Sequence, residues 1–127
     1  MNVSMNKLFA IGFGGFIGTA LRYAITCVAS ESFNGFPAGT LIVNAAGGFI
    51  MGFIMEASSI FPISEIVRVF LTTGILGGLT TFSTFSYETI SFISEGKYLM
   101  GGLNAGLNLF FALFGCWAGK LIAQLLW

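Results

Sequence analysis

One stretch of the chain combines side chains that can bind an ion with glycines that loosen a helix. It spans residues 74–86 and reads GILGGLTTFSTFS. A hydroxyl group donates hydrogen bonds, and a phenyl ring has a positive edge, so both can face an anion. The stretch therefore predicts an anion-binding site made of five hydroxyl and two phenyl side chains: Thr80, Thr81, Ser83, Thr84 and Ser86, with Phe82 and Phe85.

The composition indicates that lipid surrounds these side chains. The 127 residues are 56% hydrophobic and 8% charged, and their mean hydropathy is +0.93. A membrane-spanning helix needs about 20 mostly apolar residues, and the charged residues divide the chain into four such lengths. We therefore expect an all-α integral membrane protein with a single transmembrane domain (1–127) and helices at about 5–30, 38–60, 65–94 and 98–126.

The glycine-rich stretch falls at the centre of the third predicted helix. The uncharged run between Arg68 and Glu88 covers residues 69–87, and its middle residue is Gly78. Loosened backbone at that depth is tolerated only where protein or a wet cavity satisfies it. If the helix unwinds at Gly77 and Gly78, carbonyls around Gly77 and Thr80 lose their partners, and such carbonyls are cation ligands. We therefore expect a third helix that is broken near its centre.

The missing residue types exclude most enzyme chemistry. The chain has no His, and all five of its acidic residues are Glu. It therefore lacks a Ser-His-Asp triad, His-ligated zinc and the two-His-one-carboxylate iron site. Cys27 and Cys116 show no C-x-x-C spacing and are expected to be small buried hydrophobic residues. The sequence predicts a protein that is not an enzyme, and without a basic run we expect no nucleic-acid partner.

Polar residues in the other helices have two interpretations each. Arg22 either extends to the headgroups or lines a wet vestibule that attracts anions. Asn44 carries an amide that must face protein or water, as simple helix–helix contact or as part of an ion path. Glu88 is either at a pore mouth or merely interfacial. Asn104 and Asn108 share one helical stripe of the fourth predicted helix.

The positive charges hardly favour one orientation in the membrane. With four spans, Lys7, Arg68 and Lys120 lie on one side, and Arg22 and Lys97 lie on the other. A difference of three to two is a weak signal under the positive-inside rule. The chain can then insert both ways, and two oppositely oriented copies can pair about an axis in the membrane plane, as inverted repeats do within one chain.

Three features together closely resemble the Fluc/CrcB fluoride channel family: GGLTTFSTFS at 77–86, the upstream Arg22, and GTLIVNAAG at 39–47. The resemblance covers essentially the whole chain. It implies a passive fluoride-selective channel that exports fluoride from the cytoplasm, in a multi-pass protein of the bacterial inner (plasma) membrane. It also implies an antiparallel, dual-topology homodimer with two pores and a structural sodium ion at the dimer centre.

The same resemblance implies roles for individual residues. Sodium would take the backbone carbonyls of Gly77 and Thr80 from both subunits. In the fluoride pathway, the resemblance implies that Phe82 and Phe85 form an aromatic box and that Asn44 donates a hydrogen bond to the ion. Arg22 would be the basic residue near the vestibule. The further polar residues of the pathway would be Ser83, Thr84 and Asn108. Along the fourth helix the match is loosest, because Ala112 interrupts the polar track with a side chain that cannot donate.

Two rival functions follow from the same short, charge-balanced chain. A small dual-topology multidrug or cation exporter needs a carboxylate within the membrane to bind protons and drug. Residues 5–30 contain no acidic residue, and their only intramembrane ionisable group is Arg22, which has the wrong sign. A non-transporting accessory subunit would use the glycine faces for assembly and would leave the Thr/Ser/Phe cluster unexplained.

Overall fold

The computed structural model describes residues 2–30 and 33–127, and in those residues every regular element is a helix. Met1, Glu31 and Ser32, which the predicted single domain includes, lie outside the described residues. Four helices are long and apolar enough to cross a membrane, which confirms the expected number of spans. They are α1 (Met5–Ser30), α2 (Ala38–Ile60), a third span (Glu65–Ser94) and α6 (Tyr98–Leu126).

Local signals set where the third span begins and ends. The Ser64 side chain caps its start by accepting a hydrogen bond from the Val67 amide at 3.4 Å. At its end, Gly96 adopts a φ of +77°, a left-handed conformation that glycine reaches without steric cost. The Lys97 amide then bonds back to the Phe92 carbonyl at 2.8 Å. This closed end turns the chain directly into α6.

The third span is broken near its centre, as expected, although the break lies beyond the glycine doublet. The span consists of α3 (Glu65–Val69), a π-helical segment (Phe70–Leu76), α4 (Gly77–Leu79) and α5 (Phe82–Ser94). Thr80 and Thr81 between them have extended backbones, with ψ angles of 155° and 120°. The expectation that the helix unwinds at Gly77 and Gly78 is therefore wrong by about one turn.

Threonine hydroxyl groups account for the position of the break. The Thr81 hydroxyl accepts a hydrogen bond from the Thr84 amide at 3.1 Å and so caps α5. The Thr80 hydroxyl donates to the Leu76 carbonyl at 2.9 Å at the end of α4. The Thr81 cap replaces a helical backbone bond, whereas the Thr80 bond adds to the backbone bond from its own amide to Leu76; both kinds of side-chain bond compete with regular helix. The glycines before them remain helical.

Gly78, the second glycine of the doublet, serves close packing instead. Gly14 and Gly18 of α1 lie against the backbone of the third span, and a Cβ added to Gly14 would come within 2.7 Å of the Phe70 carbonyl oxygen. From the other side, a Cβ on Gly78 would come within 2.7 Å of the Gly15 carbonyl oxygen. Small residues let two membrane helices approach this closely. The first half of the third span is therefore held against α1.

The helices α2 and α6 meet along a second glycine-lined contact, here called the α2–α6 seam. Its members are Gly48 and Gly52 of α2 with Gly115 and Gly119 of α6. A Cβ added to Gly52 would overlap the Cys116 carbonyl, and one added to Gly119 would overlap the Phe49 carbonyl. The two backbones therefore touch along most of the length of these helices.

Both cysteines differ from expectation. Cys27 of α1 and Cys116 of α6 are exposed on the outside of the chain. In a membrane, an outward-facing small apolar side chain meets lipid that is as apolar as the interior, so there is no driving force for burial. The expectation that both are buried within the chain is therefore wrong.

Candidate anion-binding groove at the helix break

A groove of about 300 Å³ opens beside the break in the third span, between α2, α5 and α6. It brings together four residues of the predicted pathway and one of the predicted sodium ligands. The former are Asn44, Phe82, Phe85 and Asn108, and the latter is Thr80. We call this space the break groove. Its wall combines two amides, two threonines and two phenyl rings with small and aliphatic residues. A small ion in the groove would therefore meet a few polar groups that lie close together.

The two phenylalanines stand side by side at the start of α5. Their ring centroids are 5.3 Å apart and their planes are inclined by 59°. Phe85 is only 8% exposed, whereas Phe82 is 74% exposed. Tilted rings present edges as well as faces, and the edge of a phenyl ring carries the positive part of its quadrupole. The Phe85 ring is therefore buried inside the chain, whereas the Phe82 ring lies on its exposed surface.

Asn44 ties α2 to the break. Its side-chain oxygen accepts a hydrogen bond from the Thr81 amide at 2.9 Å, and its nitrogen donates to the Thr81 carbonyl at 3.2 Å. The same nitrogen donates to the side-chain oxygen of Asn108 at 2.9 Å. The amide thus supplies both partners that Thr81 would have in a continuous helix, which lets the extended residue remain at membrane depth.

A chain of amides continues from Asn44 through α6. Asn108 donates from its side-chain nitrogen to both oxygens of Asn104, at 2.8 and 3.1 Å. Asn104 in turn donates to the Thr89 hydroxyl at 3.0 Å, and Thr89 donates to the Phe85 carbonyl at 2.9 Å. Every donor points the same way, and such aligned chains strengthen one another.

This amide chain leaves no spare N–H of Asn44 or Asn108. Each of the two nitrogens makes two hydrogen bonds, which is its full capacity. An anion in the break groove must therefore replace an internal acceptor. The longest of these bonds joins Asn44 to the Thr81 carbonyl at 3.2 Å, so that oxygen is the easiest to displace.

Ser83 and Thr84 lie at the start of α5 but do not line the break groove within this chain. The Thr84 hydroxyl accepts a hydrogen bond from the Thr81 hydroxyl at 3.1 Å, and the Ser83 hydroxyl lies 3.3 Å from the same atom. Ser83 is exposed and Thr84 is half-buried. The two hydroxyls therefore stand beside the groove, on the capped turn that holds Phe82 and Phe85.

Arg22 contacts the other side of the break. Its Nε donates a hydrogen bond to the Gly78 carbonyl at 2.9 Å, and the contact is partly buried. Among the described residues, Arg22 is not one of those that line the break groove. The side chain instead joins α1 to the end of α4.

The break leaves three backbone carbonyls without a hydrogen-bond donor in the described part of the chain. They belong to Gly77, Leu79 and Thr80, because the Thr81 amide bonds to Asn44 and the Thr84 amide bonds to the Thr81 hydroxyl. Gly77 is exposed and Thr80 is half-buried, while Leu79 is buried. Free carbonyl oxygens are hard, neutral ligands that suit sodium. In residues 2–30 and 33–127 no cluster of three His, Cys, Asp or Glu side chains competes for a metal.

The sequence did not reveal one polar contact next to this site. The Thr40 hydroxyl donates to Glu88 Oε2 at 2.7 Å, and the other carboxylate oxygen of Glu88 is buried without a partner in the described residues. Glu88 also borders a second cavity of about 170 Å³, which Pro37 and Ser91 help to line. Thr40 lies one turn before Asn44 on the same stripe of α2, and that spacing is the signal that could have paired it with the third span.

Comparison with known proteins gives a consistent result. Residues 9–120 match the family model described as "CrcB-like protein, Camphor Resistance (CrcB)". A fluoride-specific ion channel FluC of Clostridium novyi (strain NT) is 53% identical over 119 residues, which cover 92% of this chain and 93% of that protein. The FluC of Methanococcus maripaludis is 43% identical over 97% of this chain and 100% of its own length. The FluC of Campylobacter fetus subsp. fetus is 42% identical over 98% and 99%.

Proposed function

The chain belongs to the CrcB family, and on that premise we propose that it is a passive fluoride channel, not an enzyme. The observation that carries the proposal is the break groove, where amide donors and two phenyl rings meet at the interrupted third span. The relatives that are named fluoride-specific channels match more than nine-tenths of this chain, so the resemblance includes every element that forms the groove.

A passive pore suffices for fluoride export. Fluoride enters cells as its neutral acid, which crosses membranes and dissociates inside. The inside-negative membrane potential then drives the anion outward, at about 2.3 kcal/mol per charge per 100 mV. The only further requirement is a path that fluoride crosses and other ions do not.

The groove offers fluoride replacements for its water. Fluoride is small and strongly hydrated, so several donors must replace its shell at once. We propose that the anion displaces the Thr81 carbonyl as an acceptor of the Asn44 amide and rests against the edges of Phe82 and Phe85. When the anion leaves, the amide returns to Thr81, so the empty pore has no unsatisfied donor. Among the described residues, no charged side chain lines the break groove, and conduction requires binding weak enough to release the ion.

We also propose that two copies pair in opposite orientations, with a structural sodium ion between their breaks. Two features support this: the exposed position of Phe82, and the donor-free carbonyls of Gly77 and Thr80. Those carbonyls would hold the ion, and its positive charge would offset two facing sets of carbonyl dipoles. Each copy would contribute its own groove, which gives two pores.

The proposed location is the inner (plasma) membrane of a bacterium. Export of fluoride requires a pore in the membrane that bounds the cytoplasm. The four apolar helices are long enough to cross that bilayer.

Reconstituted vesicles test the function directly. Purified protein is placed in liposomes loaded with potassium fluoride, potassium chloride or ethidium, and release is followed after valinomycin supplies the counter-ion path. We expect rapid fluoride release with little chloride release and no ethidium release. Empty liposomes serve as the control.

Other outcomes would contradict the proposal in distinct ways. Proton-coupled ethidium movement would indicate the multidrug exporter, and release of none of the three solutes would indicate the accessory subunit. Equal release of fluoride and chloride would retain a channel but reject fluoride selectivity.

A further inference from the structure

We propose that Arg22 is a positioning residue that closes the end of α4 and so determines which carbonyls of the break face the ion. The proposal rests on the sodium site put forward above. It concerns the Arg22 side chain, which does not line the break groove in the described part of the chain.

The first step concerns the carbonyl groups at the C-terminal end of α4, which lack hydrogen-bond donors within the helix. A helix leaves its last four carbonyls without internal donors. At this end the Thr80 amide and hydroxyl both serve the Leu76 carbonyl, at 3.0 and 2.9 Å. Of the next four carbonyls, those of residues 77–80, only that of Gly78 has a donor in the described residues, and that donor is Arg22 Nε at 2.9 Å. Arg22 thus occupies one lone pair of the Gly78 oxygen and leaves the oxygens of Gly77, Leu79 and Thr80 as those without any donor.

The second step is electrostatic. The C-terminal end of a helix carries a partial negative charge, which favours a nearby cationic side chain. A guanidinium within the membrane is costly unless it has such a partner. Its planar shape also fixes the direction of the Nε–H bond, whereas a lysine ammonium on its flexible stem fixes none. Arg22 can therefore hold the backbone at Gly78 in one orientation, and with it the neighbouring carbonyls of Gly77 and Thr80.

The third step is the close approach that makes the contact possible. A Cβ on Gly78 would come within 2.9 Å of both the Thr19 amide nitrogen and its hydroxyl oxygen. α1 therefore lies directly on the break, and Arg22 follows Thr19 by one helical turn. Packing places the guanidinium at the one carbonyl it binds.

The test measures sodium binding rather than conduction alone. Thermal unfolding of the purified protein in detergent is followed while sodium chloride replaces choline chloride at constant ionic strength. A ligand that binds only the folded state raises its unfolding temperature, so the half-saturating sodium concentration can be read from the shift. For Arg22→Lys we expect that concentration to rise at least tenfold, with a fall in fluoride efflux. Arg68→Lys is the matched control, because Arg68 makes no side-chain hydrogen bond or salt bridge in the described residues, and it should leave both values unchanged.

A purely electrostatic role of Arg22 predicts different effects of the variants on sodium binding, so the test distinguishes the two roles. If Arg22 acted on sodium only through its charge, Arg22→Lys would change nothing and the neutral Arg22→Gln would tighten sodium binding. Either result overturns the proposal, as does a wild-type protein whose stability does not respond to sodium. Absence of fluoride efflux from the wild-type protein would instead reject the proposed function itself.

A measurement on the wild-type protein covers the case in which the Arg22 variants do not fold. Protein labelled with ¹⁵N at arginine Nε and ¹³C at glycine carbonyls is studied in bilayers by solid-state NMR. Dipolar dephasing at hydrogen-bond range is expected in the wild type and in Arg68→Lys, since the Arg22–Gly78 pair alone produces it. Its absence overturns the proposal.

Discussion

The α2–α6 seam and the helix break use small and polar residues in opposite ways. At the seam, the glycines let one helix backbone lie on the other, and the atoms that face them are almost all backbone atoms. At the break, the backbone is interrupted, and polar side chains from three helices hold it: Arg22 of α1, Asn44 of α2 and Thr81 at the start of α5.

This difference separates rigidity from function. The seam leaves no room for a side chain or an ion, so it fixes α2 and α6 as one unit. The break exchanges backbone bonds for side-chain bonds that an ion can replace. A change in the seam should therefore reduce stability, whereas a change at the break should reduce flux in a folded protein.

The largest effect is expected at the seam. In Gly52→Ala, the new Cβ would overlap the Cys116 carbonyl of the facing backbone, which has no flexible side chain to move aside. The loss of stability should reach or exceed the upper end of the ~1–3 kcal/mol typical of overpacked sites. Thermal unfolding in detergent and the yield of monodisperse protein measure it.

Gly102→Ala is the matched control for the seam. This glycine lies on the same helix α6, and an added Cβ would meet nothing within 4 Å in residues 2–30 and 33–127. Its stability should be retained or slightly raised, since alanine favours helices over glycine. Equal losses for both variants would mean that helix contact, as described for the seam, is not the cause.

The next effect is expected at the aromatic pair. Phe85→Ile removes a ring that is almost buried in the groove wall, and fluoride efflux should fall by at least about tenfold because an isoleucine offers no positive edge. Phe82→Ile should reduce efflux similarly without lowering stability of the single chain, because that ring is 74% exposed. Phe9→Ile, on the exposed face of α1, is the control. Unchanged efflux in both test variants would reject the aromatic-box assignment.

A smaller effect is expected at the amide clamp. Asn44→Asp keeps an acceptor for the Thr81 amide but loses both donations, to the Thr81 carbonyl and to Asn108. An anion beside this position would then meet an acceptor in place of a donor, so efflux should fall several-fold while the protein remains folded. Asn6→Asp, at an exposed position near the N-terminus, should conduct normally. Full conduction by Asn44→Asp would remove Asn44 from the ion path.

The sequence predicts the helices and the interruption better than the contacts. Long apolar runs between charges define the four spans, because the length of a membrane helix is set by the bilayer. The glycine and threonine cluster also marks the broken span. The positions of the glycines do not predict the residue at which the third span breaks, because the Thr81 side chain caps α5 and so ends the preceding helix.

The candidate site is predictable only in part, because its contacts join residues far apart in the chain. Asn44 and Asn108 are separated by 64 positions, yet both stand out as amides in apolar helices. The bond from Arg22 to Gly78 crosses 56 positions and involves a backbone atom, so no residue type indicates it. Burial is also misleading in lipid, as the two exposed cysteines show.

The π-helical segment before the break gives the third span a place where one residue can be gained or lost. Each α-helical residue turns the chain by about 100°, and a π turn accommodates one residue more than an α turn. Loss of a single codon within Phe70–Leu76 should therefore convert one π turn to an α turn. Everything beyond it, including the two rings of α5, would keep its present side. Natural variation should thus tolerate a change of one residue in length here.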